Sequence, residues 1–359
     1  MTTETWTTPR LPVRPELAFY GLAGAATSPA DLIQECREGE ALGLGTVFLS
    51  ERFNIKEIAT ISGVAGAVTS RMRIATGVTN HNTRHPIVTA SFATTMHRLT
   101  GARFVLGLGR GMDRMFDAFG LPRITTAQLE DIAGLLRRLW HGEVVIGHNG
   151  PAGTWPVLAL DPDFREDIPL LLSAFGEHSL ELAGRCYDEV LLHTFFTDET
   201  LQRCVGTVKQ AAERAGRDPA AVKVWSCYAT IGDWLPDDLR LKKTIGRLAT
   251  YLQAYGDLMV RTNGWDPAVL AAFRADPFVA GFRGALDAKA TTAQLEHVAT
   301  LIPDEWLAAA GRGTPAQCAA AVARQIGLGA DGVILHGASP AELRPIIEAY
   351  GATSSKTDR

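Results

Sequence analysis

Short apolar runs alternate along the chain with longer segments of helical period. ELAFYG (16–21) is followed by ADLIQECREGEALG (30–43), TVFLS (46–50) by IKEIATISGVAGAVTS (55–70), and RIATGVT (73–79) by a helix from Pro86 to about Leu99. RFVLGLG (103–109) then precedes a helix across 125–140. The second half repeats the pattern: IPLLLSA (168–174) with a helix over 177–186, EVLLHTF (189–195) with a helix over 199–216, VKVWSCYAT (222–230), and finally DGVILHG (331–337) with PAELRPIIEAYG. These eight runs are apolar on both faces and separated by helices, so they predict parallel pairing. Eight repeats of that kind predict an α/β fold of the (β/α)8 (TIM) barrel type, taken as one domain spanning 1–359.

Two stretches exceed a minimal barrel of roughly 250 residues. Residues 141–165 carry turn signals (Asn149-Gly150, Pro151, Gly153) between β-like pieces and predict a hairpin or lid inserted between strands four and five. Residues 234–312 are mostly helical and predict an insertion in front of the last strand, while 352–359 reads as a frayed tail.

At 46% hydrophobic and 21% charged, the chain can bury a large core, and its formal net charge of −4 argues against a polyanion such as nucleic acid as partner. A small-molecule substrate is expected. The cysteines at 36, 186, 204, 227 and 318 never form C-x-x-C, which suits reduced thiols in the cytoplasm. No run is apolar and long enough for an export signal or a membrane span.

In a (β/α)8 barrel the chemistry sits where the strands end, which directs attention to four segments. In HNTRH, His81 and His85 have an i,i+4 spacing, but Pro86 disfavours a helix through His85 and is suited to opening the next one. The segment is therefore a loop, and no metal site is expected. GLGRG (Gly107, Gly109, Arg110, Gly111) lacks the third glycine of a dinucleotide fingerprint, since Met112 occupies that place. It is either a tight turn or a place where backbone approaches a ligand. AFGEHS (174–179) is either an anion site made by helix-start amides or an ordinary capped helix. FLSERF (48–53) projects Glu51 and Arg52 into the mouth or pairs them structurally.

The block RIATGVTNHNTRHPIVTASFATTMHRLTGARFVLGLGRG, with GEALGLGTVFLSERF, PLLLSAFGEHSLELAGRCYDEVLL and GTPAQCAAAVARQIGLGADGVILHG in order, resembles the bacterial luciferase-like monooxygenase superfamily. The resemblance is to its branch using the deazaflavin coenzyme F420, and it covers most of the chain. It implies an oxidoreductase moving a hydride between reduced deazaflavin and an organic substrate. An FMN-dependent monooxygenase and a cofactor-binding paralogue without catalysis are the alternatives. It implies a non-proline cis peptide at Gly77-Val78, flanked by Thr76, Thr79 and Asn80, behind the cofactor ring. It further implies Ser50 and Glu51 at the ring edge, Gly107, Gly109, Arg110 and Gly111 along the ring or ribityl chain, and the phosphate on the amides of Gly176, Glu177 and His178. Relatives are often homodimers, and the same state is expected here.

The chain also departs from that pattern. Where family dehydrogenases carry a histidine and a glutamate as acid and base, this chain has Arg52 and Met112. Arginine stays protonated at neutral pH, so Arg52 is expected to hold an anion or polarise a carbonyl. Glu51, His85 and His81 remain as candidates for moving a proton. Arg84, Arg110 and Arg114 near the mouth suit the acidic tail of the deazaflavin.

Overall fold

A computed structural model describes residues 11–23, 28–53 and 55–357, the side chains of 353–357 excepted. The strands are β1 (Arg14–Tyr20), β2 (Leu44–Leu49), β3 (Arg73–Thr76), β4 (Phe104–Leu108), β5 (Val145–Gly150), β6 (Gly153–Leu158), β7 (Leu170–Ser173), β8 (Glu189–Leu191), β9 (Lys223–Gly232), β10 (Gly311–Gly313) and β11 (Gly332–His336). All eight expected barrel strands are present. They pair in the order β11-β1-β2-β3-β4-β7-β8-β9, and β9 returns to β11, so the sheet closes on itself with every pairing parallel.

The apolar runs explain the closure, because each strand has two faces to bury. One face fills the barrel with Ala18, Phe48, Ala75, Val105, Leu171, Leu191, Trp225, Cys227 and Ile334. The other packs under the helices through Phe19, Val47, Ile74, Phe104, Leu106, Leu172 and Leu335. Near the strand starts, the Trp225 indole donates to Glu189 Oε2 at 2.6 Å, and Arg73 binds the other carboxylate oxygen. A polar plug therefore closes the N-terminal end of the barrel, and the opposite end is left for a site.

The expected hairpin is the antiparallel pair β5 and β6, inserted between the fourth and fifth barrel strands. The expected helical insertion has its own core of Leu248, Leu252, Met259, Leu270, Phe273 and Trp306, with Trp265 stacked on Trp306 at 4.4 Å. Two features of the fold were not expected. Strand β10 lies parallel to the outer end of β9, and three residues are too few to show a period. A short helix, Asp113–Phe119, also follows the GLGRG turn.

The tail reading is corrected. The last helix runs from Pro340 to Thr357, and residues 358 and 359 lie outside the described residues. Gly351 reads as a helix stop, but it is an interior position against which the Arg14 guanidinium packs, a Cβ there lying 2.4 Å from Nη2.

Gly107 is the tightest point of the barrel, where a Cβ would lie 1.9 Å from the Thr76 carbonyl oxygen. Gly107→Ala is expected to cost about 3 kcal/mol or more, read as lost soluble protein or a lowered melting temperature. Gly134→Ala, at an exposed position of the helix Thr126–Trp140 with open space around its Cβ, is expected to stabilise slightly in the same assay.

Candidate active site

The floor of the barrel mouth is the chain that leaves β3. The Gly77–Val78 peptide bond is cis. Gly77 N–H donates to Leu49 O at 2.6 Å and Glu51 N–H to Val78 O at 3.2 Å, which ties this bulge to the end of β2. Thr79 N–H donates to Gly107 O at 3.0 Å, and Gly109 N–H to Thr79 O at 2.9 Å, which ties it to β4. The Thr76 hydroxyl donates to Gly107 O at 2.8 Å and accepts Gly107 N–H at 2.6 Å, and the Asn80 amide donates to Gly109 O at 2.8 Å. Thr76, Thr79 and Asn80 are buried, so their polar atoms build the bulge. Gly107 is a packing glycine of the strand, with its N–H and C=O both engaged by the Thr76 hydroxyl. Gly109 admits no Cβ either, since one would lie 2.5 Å from Val78 Cγ2.

The alternatives at FLSERF resolve toward a structural ion pair, with Arg84 as the partner. Glu51 Oε2 accepts from Thr79 Oγ1 at 2.6 Å and Arg84 Nη1 at 2.7 Å, and Oε1 accepts from Arg84 Nη2 at 3.0 Å and Ile58 N–H at 3.1 Å. The Glu51 side chain is 2% exposed, with both oxygens occupied. Arg84 also binds Glu57, whose carboxyl is held down to about 2: burial opposes the charge, and hydrogen bonds from Thr60 and Arg84 overcome it. Arg84 is thus committed to carboxylates of its own chain. Ser50 Oγ accepts from Lys56 Nζ at 3.3 Å, and the same ammonium donates to Gly21 O and Leu22 O. Arg52 is exposed and has no ion pair among the described residues.

The polar groups that line the mouth were mostly not singled out in the sequence. Tyr20 ends β1, His193 follows β8, His336 ends β11, and Tyr251 and Tyr255 come from the insertion helix Arg247–Asn263. The Tyr20 ring meets His336 edge-on at 5.3 Å, and its hydroxyl is 3.2 Å from where a Cβ on Gly77 would be. The cluster therefore begins at the bulge. His193 packs against Phe175 and Tyr251 at 4.8 Å each, and Tyr251 stacks on Tyr255 at 5.6 Å. The helix is kinked at Tyr255 (φ −152°, ψ 37°), one turn beyond Tyr251.

Hydrogen bonding fixes the His193 tautomer. Its Nδ1 lies 3.0 Å from Thr194 O, and a carbonyl only accepts, so Nδ1 carries the proton. Nε2 then accepts from the Tyr255 hydroxyl at 2.8 Å. Burial pushes His193 down to about 4, with the Thr194 carbonyl opposing. His336 is held well below its ordinary value by burial, Arg247, His193, Arg52 and Lys243, and its Nδ1 is buried without a partner. Both imidazoles are neutral at pH 7. Burial raises Tyr20, Tyr251 and Tyr255, so all three keep their protons.

The remaining candidates take less central places. His81 is buried in a one-turn helix (His81–Thr83), with burial lowering its pKa against the pull of Asp131, and its Nε2 has no partner. His85 caps the helix Pro86–Thr100, with Nδ1 accepting Ile87 N–H at 3.3 Å, and its ring meets Trp155 of the hairpin at 6.0 Å. That agrees with a loop opened into a helix by Pro86, and it places His85 at the hairpin rather than among the residues around Tyr20. Arg110 binds Ile124 O and Thr126 Oγ1, while Gly111 (φ +69°) turns the chain over Phe116. The helix Glu177–Cys186 starts at Gly176 with no side-chain cap, open space around the glycine and an exposed His178. Its first amides remain available to an anion, which favours the anion-site alternative over a capped helix.

A signal for the missed residues exists at three positions. Tyr20, His193 and His336 each follow an apolar strand run (ELAF, EVLL, GVIL), which is where a barrel presents catalytic groups. Arg247, Tyr251 and Tyr255 share one helix face at i,i+4 spacing, but nothing in the sequence says which way that helix lies.

A profile of luciferase-like monooxygenases matches residues 17–332, and the chain belongs to that family of oxidoreductases. It is 28% identical over 240 residues to a 5,10-methylenetetrahydromethanopterin reductase of Methanolobus tindarius, covering 65% of this chain and 70% of that protein. It is also 28% identical over 225 residues to a phthiodiolone/phenolphthiodiolone dimycocerosates ketoreductase of Mycobacterium tuberculosis (strain CDC 1551 / Oshkosh), spanning 59% of it. Among solved structures, the coenzyme F420 dependent tetrahydromethanopterin reductase of Methanopyrus kandleri shares the fold with a TM-score of 0.78 at 18% identity, over 96% of this chain and 99% of that one. Among the described residues, no helix is long and apolar enough to cross a membrane.

Two outcomes follow from the site. Glu51→Ala strands Thr79 and part of Arg84 in a buried place, and is expected to lower the unfolding free energy by about 3 kcal/mol in a denaturant titration. The second concerns acid. His193 titrates near 4 when folded against 6.5 for the free side chain. Below that upper value the unfolded chain takes up a proton that the folded chain refuses, so stability falls as pH drops through this window and levels off below it. His193→Asn is expected to flatten the slope by up to about 1.4 kcal/mol per pH unit, measured by urea unfolding at several pH values.

Proposed function

We propose that the protein is a coenzyme F420-dependent oxidoreductase that moves a hydride between reduced deazaflavin and an organic substrate. The observation that carries this reading is the pairing of two features at one end of the barrel: the Gly77–Val78 floor and the uncapped helix start at Gly176. The floor offers a planar ring a rigid backbone surface, and the helix start offers a phosphate its amides. The resemblance to a reductase over 65% of the chain supports the oxidoreductase reading, and the fold similarity to a coenzyme F420 dependent reductase supports the deazaflavin over FMN.

Val78 would face the ring, Gly176, Glu177 and His178 would hold the phosphate, and Arg110 and Arg114 stand at the rim. Bound deazaflavin supplies the carbon that gives or takes the hydride. The chain supplies the surroundings. The helical insertion covers the mouth with Tyr251 and Tyr255, which excludes water from the reacting atoms. Tyr255, hydrogen-bonded to neutral His193, presents its hydroxyl oxygen to the mouth as the group placed to exchange a proton with substrate. Arg52 holds a fixed positive charge where relatives have a titrating histidine.

Fluorescence titration of the apoprotein with coenzyme F420 and, separately, with FMN tests the reading. Binding of F420 at least tenfold tighter than FMN is expected. The reverse preference, with oxygen consumed by the reduced complex, would make the protein a flavin-dependent monooxygenase.

A further inference from the structure

The mouth holds more positive charge than its own carboxylates neutralise. Lys243 is paired with Glu342 at 3.1 Å, and Arg247 with Asp287 at 3.0 Å. Lys56 has Glu35 nearby, but burial raises that carboxyl to about 7, so at neutral pH it is only partly charged. Arg52 has no acidic partner among the described residues. Its backbone N–H donates to Lys56 O at 3.0 Å, and the Lys56 ammonium donates to Gly21 O and Leu22 O just past Tyr20, so exposed Arg52 stands at the rim beside the end of β1. Arg247 lies one turn beyond Lys243, whose ammonium donates to Gly337 O immediately after His336, so it comes to the end of β11 on the same helical run as Tyr251 and Tyr255. At the end of β11, His336 carries a buried ring nitrogen with no partner.

These charges are not placed for the cofactor phosphate. In the closed sheet, β7, which leads to Gly176, lies four strands from β1 in either direction. Tyr20 and His336 end β1 and β11 and Arg52 follows β2, three neighbouring strands on the opposite arc. The mouth thus has two anion-seeking regions, one on each side.

We propose that the arc formed by the ends of β11, β1 and β2 binds an anionic group of the substrate, a carboxylate or a phosphate, gripped by Arg52 and Arg247 with His336 as a hydrogen-bonding partner. The proposal rests on the oxidoreductase reading and narrows its substrate class to organic acids or phosphate esters. Charge recognition by a guanidinium fits either anion through paired N–H donors, and a site shielded by the insertion strengthens it. Arg52 is then the specificity-determining residue that replaces a proton carrier, and Arg247 is preset by Asp287 and Tyr251.

The test is calorimetric titration of the protein with oxalate and with inorganic phosphate, each with and without saturating coenzyme F420. Binding of at least one probe is expected both with and without the coenzyme. Arg52→Met is expected to weaken that probe at least tenfold and Arg52→Lys, which keeps the charge but loses the paired donors, by less than Arg52→Met, with the F420 dissociation constant within threefold of the parent in both. The stronger probe tells a carboxylate site from a phosphate site. No binding of either probe, equal binding by Arg52→Met, or loss of the probe when F420 is bound would overturn the proposal. If the protein takes FMN in place of F420 while the probe still depends on Arg52, the cofactor reading fails and the anion site stands.

Discussion

The contact on which the mouth depends is the meeting of β3 and β4 at Thr76 and Gly107. Only a hydrogen atom fits between the Gly107 Cα and the Thr76 carbonyl, and the Thr76 hydroxyl satisfies both backbone groups of Gly107. Strand β3 is only four residues long, so its regular ladder ends where the chain must still support a bulge. The bulge is held instead by hydrogen bonds from both neighbours, Leu49 on one side and Gly107 with Gly109 on the other. Polar atoms this deep are costly unless paired, and here the pairing fixes the floor on which a planar ligand would lie.

Glu51 and Arg84 extend that constraint to the rim. A carboxylate offers about four acceptor positions, and Thr79, Ile58 and two Arg84 nitrogens fill them. Burying such a pair gains little net stability over an apolar substitute, but losing one partner is costly, so the arrangement resists change. The chemical consequence is that Glu51 does not act as a free acid or base. Glu51 is thereby a brace, beside an Arg52 that has no ion pair among the described residues. The polar side chains placed to exchange a proton lie on the opposite wall, where Tyr255 and His193 meet.

The barrel was legible because each strand is buried on both sides and so appears as a continuous apolar run. The hairpin was legible from Asn149, Gly150 and Pro151. The site was legible only where backbone needs dictate residue type. Gly77 and Gly109 mark such places, and Gly107 looks the same in sequence although it lies within the regular strand. His85 shows a related limit, since a histidine before a proline is as suited to capping a helix as to chemistry, and here its Nδ1 takes an amide proton. The insertion was the least legible part. Tyr251 and Tyr255 reach the mouth because a kinked helix folds back over the barrel, and helical periodicity carries no information on that orientation.

The electrostatics of the mouth divide its work among its residues. Each histidine would have to ionise in a low-polarity site, and His336 additionally faces Arg52, Lys243 and Arg247, so neither adds its own positive charge at neutral pH. The arginines supply a field that does not titrate, and the imidazoles and phenols supply hydrogen bonds that can reverse direction. Such a division suits negative charge that appears during reaction and disappears afterwards, because the stabilising dipoles and charges are already in place. It also accounts for the buried Tyr255–His193 hydrogen bond. Since Nδ1 of His193 is held by Thr194, a proton leaving the mouth through Tyr255 has one place to go, Nε2, and the cost of charging that ring favours its return.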